Sequence, residues 1–409
     1  MSESSSPDIG TVRITFCAEG VRAFAAGIIE TALATFAILI AVTQFDSSPG
    51  IKATIIGSQA FGLIGSLFLV PRIMRLSVRP SRAAAIINAL SMAGFVVAAL
   101  NPASEICFVA GVSIGLGVAG LAMPLQTHYL RQNYPKNSRG RLFSVNVFIR
   151  ALTAMLASWL FGIYLDRDAQ NYETLLWVLA AAAGLSAASQ WMIPSQPFQQ
   201  GAIKNRPSVM RSMKWLEQDR VFARVIVALM VMGIGVLAAN ALRVDYLVNP
   251  DHGLAFDVVT VSLITGIVPS ITRLLSTYFW GWLFDRMNFF RLRLIVNAVF
   301  FSGIILYFST GLIPAIIIGS ALFGLARGGG EILFNLFVTK LAAPDHVAEY
   351  MTVHTFFAGL RILSAPFIGF FLVTYAGIST MMGFSLAFIA ATFFILWPLL
   401  GKRTESQHA

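Results

Sequence analysis

The sequence predicts an all-α membrane protein: twelve transmembrane helices in two six-helix bundles. Three observations predict it. Of 409 residues, 57% are hydrophobic and only 12% charged, about half the charged share of a soluble domain. The apolar residues gather into runs of about 20 or more, the length that crosses a bilayer core. The basic residues between those runs alternate from one side to the other. A soluble helical protein would instead need helices with one charged face, and the runs lack one.

The first six spans are expected at 17–43, 51–70, 83–100, 104–130, 142–165 and 174–193. A polar, basic stretch with Pro194, Pro197, Gly201 and Pro207 follows. Six more spans are expected at 222–246, 258–284, 292–311, 313–340, 350–375 and 378–400. The domain plan is therefore an N-terminal bundle over 1–193, a linker over 194–220 and a C-terminal bundle over 221–409. Strands of a membrane barrel would alternate over about ten residues, and these runs do not.

Lys and Arg set the orientation. With the N-terminus inside, twenty-one of them fall on inner segments, from Arg13 through the Arg72–Arg82 and Arg131–Arg141 groups and the linker to Arg286, Arg291, Arg293, Lys340, Lys402 and Arg403. Only Lys52 and Arg167 fall outside, where Asp46, Glu105, Asp166, Asp168, Glu173, Asp251 and Asp257 lie. Both tails and the linker are thus expected in the cytoplasm of a bacterial-type inner membrane. This topology also accounts for the net charge of +10, so no nucleic-acid partner is expected. The stretch from Met1 to Gly10 lacks a signal peptide's basic region and cleavage site, so the first span is expected to be retained. Cys17 and Cys107 are predicted near opposite faces and unbridged.

Gly281-Trp-Leu-Phe-Asp285-Arg286, followed by Arg291-Leu-Arg293, sits in a short inner loop. It resembles the signature between the second and third helices of each half in the major facilitator superfamily. Val70-Pro71-Arg72-Ile-Met-Arg75 keeps the bases of that signature in the first half but lacks its aspartate. Arg139-Gly140-Arg141 is similar to the family's basic turn before helix 5, and Pro135 echoes Pro344 as Gly162 echoes Gly369. The resemblance implies two bundles around a central cavity that rock between inward-open and outward-open states. It implies that helices 1, 4, 7 and 10 line the cavity, that 3, 6, 9 and 12 support it, and that Asp285, Arg286, Arg139 and Arg141 act in gating. The missing aspartate questions a symmetric cytoplasmic latch.

Charges at membrane depth are the candidate site. Arg22, Arg150, Arg243, Arg273, Arg327 and Arg361 lie within spans, with carboxylates at Glu30 and Glu331 and, toward the edges, at Glu19 and Asp245. The apolar stretches of helices 3, 6, 9 and 12 are expected to carry no charge. Each charge costs about 2.5–3.5 kcal/mol at the midplane. Arg150, Arg273, Arg327, Arg361, Glu30 and Glu331 would then cost about 15–20 kcal/mol facing lipid, more than the roughly 5–15 kcal/mol that holds a domain folded. They must face water or one another. Internal ion pairs are one reading. The other is an anionic substrate bound by Arg150, Arg273, Arg327 and Arg361, whose guanidinium forks suit carboxylate and phosphate, with Asn240 and Gln59 as polar lining. Glu30 or Glu331 is the expected carrier of a coupling proton.

Arg327-Gly-Gly-Gly-Glu331 reads either as a weakened helix at a substrate site or as a close-packing face. Gly115-Leu-Gly117-Val-Ala-Gly120 has no strand before it and reads as a packing face in helix 4. Pro124, Pro269 and Pro366 are expected to kink their helices. His128 and His354 have no metal spacing, no catalytic set or phosphate loop appears, and neither an enzyme nor a cofactor is expected. The expected function is secondary transport of a small organic anion, proton-coupled, by a monomer in the lipid bilayer. The alternatives are an exporter of drugs or amphiphiles and, from another class, a transporter-like sensor.

Overall fold

The computed structural model describes residues 8–76, 78–135, 138–197, 209–252, 254–343 and 346–401. Lys136, Lys204, Arg206, Pro207, Pro344, Lys402 and Arg403 lie outside them. The described residues form helices and turns without a strand.

In the first half, α1 runs Ile9–Thr43, α2 Pro49–Arg75, α3 Pro80–Leu100, α4 Glu105–Asn133, α5 Arg139–Arg167 and α6 Tyr172–Met192. Two short helical turns, Val209–Ser212 and Lys214–Gln218, follow. The second half has α7 at Arg220–Val248, α8 at Val258–Arg286, α9 at Phe289–Phe308 and α10 at Ile313–Leu336. The last helical segment, Val347–Leu399, spans 53 residues, about twice what one crossing requires. Gly377, at φ 80° and ψ 169°, divides it into α11 at 347–376 and α12 at 378–399. That backbone conformation is open to glycine and strained for other residues, so the twelve expected spans are present.

Local chemistry sets the ends. Ser104 accepts from Cys107 N–H, Asp219 from Val221 and Phe222 N–H, and Asn288 from Phe290 N–H, each capping the helix that follows. Pro80 opens α3 at a position where no donor is lost. Asp257 caps α8 through Thr260 N–H at 2.8 Å. Helices extend past the apolar runs, so Arg13, Arg139 and Arg141 stand on helical turns rather than in loops.

The chain forms two compact units, Met1–Phe45 with Ser58–Arg206, and Asp46–Gly57 with Pro207–Ala409. In the first, α3 packs on α4 and α6, and α1 on α5 and α6. The small-residue face of α4 works as expected. A Cβ on Gly111 would stand 2.4 Å from Gly94 O of α3, and one on Gly117 2.7 Å from Ser58 O of α2. In the second unit α7 packs on the α11–α12 segment, and α10 on α8 and α9.

Helix α10 is not interrupted at its glycines; it is helical throughout. A Cβ on Gly328 would meet Ser276 Oγ at 2.9 Å, and one on Gly329 would meet Val296 Cγ2 at 2.8 Å. Close packing, not a break, explains the run. Pro269 acts differently from a simple kink. The turn Leu263–Ile267 before it is a π-turn in which Val268 N–H bonds Leu263 O. Ile264 O thereby loses its usual donor, and Pro269 has no N–H to replace it.

Candidate functional site

Two carboxylates at depth have arginine partners, and the same local geometry produces both pairs. On α1, Gly27 lets the helix lie against α5 so closely that a Cβ there would be 2.5 Å from Arg150 O. Three residues on, Glu30 Oε2 accepts from Arg150 Nε at 2.8 Å. On α10, Gly328 brings the helix against α8, where its Cβ would be 3.3 Å from Arg273 O. Three residues on, Glu331 Oε1 accepts from Arg273 Nη1 at 3.3 Å and from Arg327 Nε at 3.2 Å. A Gly-x-x-Glu step therefore places each acid beside an arginine of the neighbouring helix. The same spacing, Gly27–Glu30 and Gly328–Glu331, recurs in the two halves of the chain.

Exposure separates these groups. The side chains of Arg327, Glu331 and Arg150 are 51%, 49% and 47% exposed, whereas Arg273 and Glu30 are 13% and 9% exposed. Half-exposed charges at membrane depth belong beside water, because hydrocarbon cannot solvate them.

Arg361 lies elsewhere in the second unit. It is buried across Gly233, where a Cβ would be 2.4 Å from its Cδ, and its Nη1 donates to Leu229 O at 2.9 Å. It makes no ion pair with Glu331 among the described residues. Gln59 and Asn240 are exposed, and no hydrogen bond joins them to these arginines among the described residues.

Arg243 is fixed by the π-turn. Its Nη2 donates to Ile264 O at 3.3 Å and to Ser320 Oγ at 2.8 Å, and Ser320 Oγ in turn donates to Ile264 O. The guanidinium lies over Phe323 and Tyr307 at 4.8 and 5.1 Å. Arg22 pairs with Glu19 at 2.9 Å. Glu19 also accepts from Tyr129 Oη at 2.5 Å, and the chain runs on through Gln190 Nε2 to Tyr129 and Asn88 Nδ2 to Gln190.

Other contacts were not foreseen. Lys52, expected in an outer loop, is buried on α2 and bonds Asp245 at 2.5 Å, with His252 Nε2 at 3.3 Å on the other oxygen. A cavity of about 730 Å³ lies alongside, bordered by Asp46, Tyr246 and Phe370 among others. Arg293, also expected in a loop and on a helix thought free of charge, is 4% exposed within α9.

Of the residues expected to act in gating, Arg139 Nη2 donates to Arg131 O at 2.8 Å and Tyr134 O at 3.1 Å, satisfying the carbonyl end of α4. Arg141, Asp285 and Arg286 are exposed, and Arg286 stacks on Trp282 at 4.3 Å. Lys340 caps the end of α8 through Phe284 O and Met287 O. Burial lowers its ammonium pKa from the ordinary value, and the Asp285 carboxylate opposes the shift.

A family model described as Major Facilitator Superfamily matches residues 21–366. No curated protein matches the chain. Among solved structures, the chain is similar to the nucleoside transporter NupG, with a TM-score of 0.75, 13% identity, and coverage of 94% of this chain and 98% of that one. It is similar to a D-xylose-proton symporter, with a TM-score of 0.63, 16% identity, and coverage of 94% and 96%. The human organic anion transporter MFSD10 (TETRAN) gives a TM-score of 0.62 at 13% identity, covering 94% and 98%. At such identities the likeness is one of fold.

Proposed function

The chain belongs to the Major Facilitator Superfamily and is an integral membrane transporter, and from that premise we propose that it carries a small organic anion by proton-coupled alternating access. The observation that carries this reading is Glu331, held between Arg273 and Arg327 beside the glycine face of α10. Protonating Glu331 removes the charge both guanidiniums bind, and an incoming carboxylate or phosphate takes its place. Proton and anion then arrive together, so the step is nearly neutral. Arg150 with Glu30 is the corresponding pair in the first unit. The reading includes the expected setting: a monomer in a bacterial-type inner membrane with both tails cytoplasmic.

The structural relatives include transporters named for nucleosides, for D-xylose with protons and for organic anions. The last two names agree with proton coupling and with an anion, one each.

A thermal-shift screen of the purified protein against anionic, neutral and cationic metabolites tests the proposal. Stabilisation grows with occupancy, so anionic compounds alone should raise Tm, and Arg327→Gln should remove the rise. Stabilisation by cationic amphiphiles instead would favour a drug exporter and overturn the anion reading.

A further inference from the structure

The start of α2 is fastened in the second unit by one buried charge. The division between the two units falls inside this helix, between Gly57 and Ser58. Its first turns therefore belong with α7 and α11, and a Cβ on Gly57 would stand 3.4 Å from Leu363 O of α11. Lys52 Nζ reaches Asp245 Oδ1 of α7 at 2.5 Å and lies 5.3 Å from the centre of the Phe370 ring. Lys52 and Asp245 are 6% and 2% exposed, so bulk salt screens this pair little.

Asp245 is shared. Its other oxygen, Oδ2, takes His252 Nε2 at 3.3 Å. A neutral imidazole donates its Nε2–H to a carboxylate whose charge Lys52 balances, and the three side chains together are neutral. A protonated imidazole gives the same three side chains one net positive charge. Excess buried charge is costly, and the two cations then repel each other across one carboxylate. His252 and Asp245 are seven residues apart, on the turn after α7 and on α7 itself. Lys52 alone comes from another helix, so Lys52 is the cation that leaves.

It has water to enter. The cavity of about 730 Å³ is bordered by Lys52, Asp245 and His252 themselves, and it can hydrate a displaced ammonium. Asp245 and Tyr246 of α7, Asp251 of the same turn, Lys52 of α2 and Asp46 of the turn before α2 are the titratable groups on its wall beside His252. Among the described residues α11 and α12 bring none to that wall. Asp46 and Asp251 are exposed, where water and salt screen them. Neither replaces a second buried carboxylate.

We propose that Lys52 and Asp245 form a latch on the start of α2, and that protonation of His252 releases it. Neutral His252 leaves the latch closed. As pH falls through the histidine range, about 5–8, His252 takes Asp245 for itself and Lys52 turns into the cavity. The sign follows from linkage: protonated His252 is better accommodated once Lys52 has left, so protons favour the released form. The latch is a second pH-responsive centre, separate from Glu331, and it does not depend on the charge of the transported solute.

The test is a distance measurement by pulsed electron spin resonance on the purified full chain. Spin labels go on Gly50→Cys and Leu312→Cys in a Cys17→Ser, Cys107→Ser background. Both positions are exposed, and a Cβ on Gly50 meets nothing within 4 Å. The labelled protein should give one distance at about pH 8 and a second population at about pH 5.5, on either side of the histidine range. His252→Gln should keep the single distance at both values. His252→Lys, charged throughout, should show the second population at the higher pH as well. Glu331→Gln should retain the pH response. An unchanged distribution in the parent, an unaltered response in His252→Gln, or loss of the response in Glu331→Gln overturns the latch. None of these results bears on the organic anion screen, which reads Arg327.

Discussion

On the proposed mechanism, Glu331 is where a single proton has most influence. If its protonation frees Arg273 and Arg327 for the substrate, apparent affinity for the anion falls as pH rises, since the ionised acid competes for both guanidiniums. Glu331→Gln should bind the anion at every pH and lose proton-driven accumulation. Uptake in vesicles across a pH series checks it, and an unchanged pH slope in the variant removes Glu331 from the coupling. Arg243 has a different task. It completes Ile264 O, a carbonyl left without a donor by the π-turn and by Pro269. Arg243→Gln should destabilise the protein by about 1–3 kcal/mol, visible as a lower Tm, with Arg243→Lys recovering part of it. An unchanged Tm would mean that Ser320 alone satisfies the carbonyl.

The helices meet through glycines, and this makes the ion pairs sensitive to a single methyl group. A Cβ on Gly27 would lie 2.5 Å from a backbone oxygen, Arg150 O, whereas on Gly328 the nearest atom is a side-chain oxygen, Ser276 Oγ, at 2.9 Å. Backbone cannot step aside as a hydroxyl can. Gly27→Ala should therefore cost about 1–3 kcal/mol and slow transport by displacing Glu30, and Gly328→Ala should cost less. Thermal unfolding and uptake rates of the two variants decide the order. At this scale the sequence was informative about spans, because hydropathy acts over a few residues. The partners of the arginines could not be read from it, since Glu30 and Arg150 stand 120 positions apart. The buried place of Arg293 was hidden by its position in the first turns of α9, close to the loop that carries Asp285 and Arg286. The glycines at Gly328–Gly330 allowed two readings, and only the nearness of Ser276 and Val296 decided between them.

For the molecule as a whole, charge bias is the strongest statement in the chain. With inner segments basic, a cysteine at Arg13 should be protected from an impermeant thiol reagent in intact cells, and one at Asp251 should react, in a background lacking Cys17 and Cys107. Reaction at Arg13 would invert the topology. Family membership and fold were legible from hydropathy, the six-plus-six plan and the Gly281–Arg293 motif. The solute was not, because recognition rests on a few side chains gathered from distant parts of the chain.

The bare stretch of α10 also bears on how the second bundle can deform. Packed helices normally interlock like gear teeth, and axial slip requires side chains to climb over one another. From Gly328 to Gly330 those teeth are missing beside Ser276 and Trp280 of α8 and Val296 of α9. A contact bare of side chains on one partner opposes lengthwise slip less than a toothed one does.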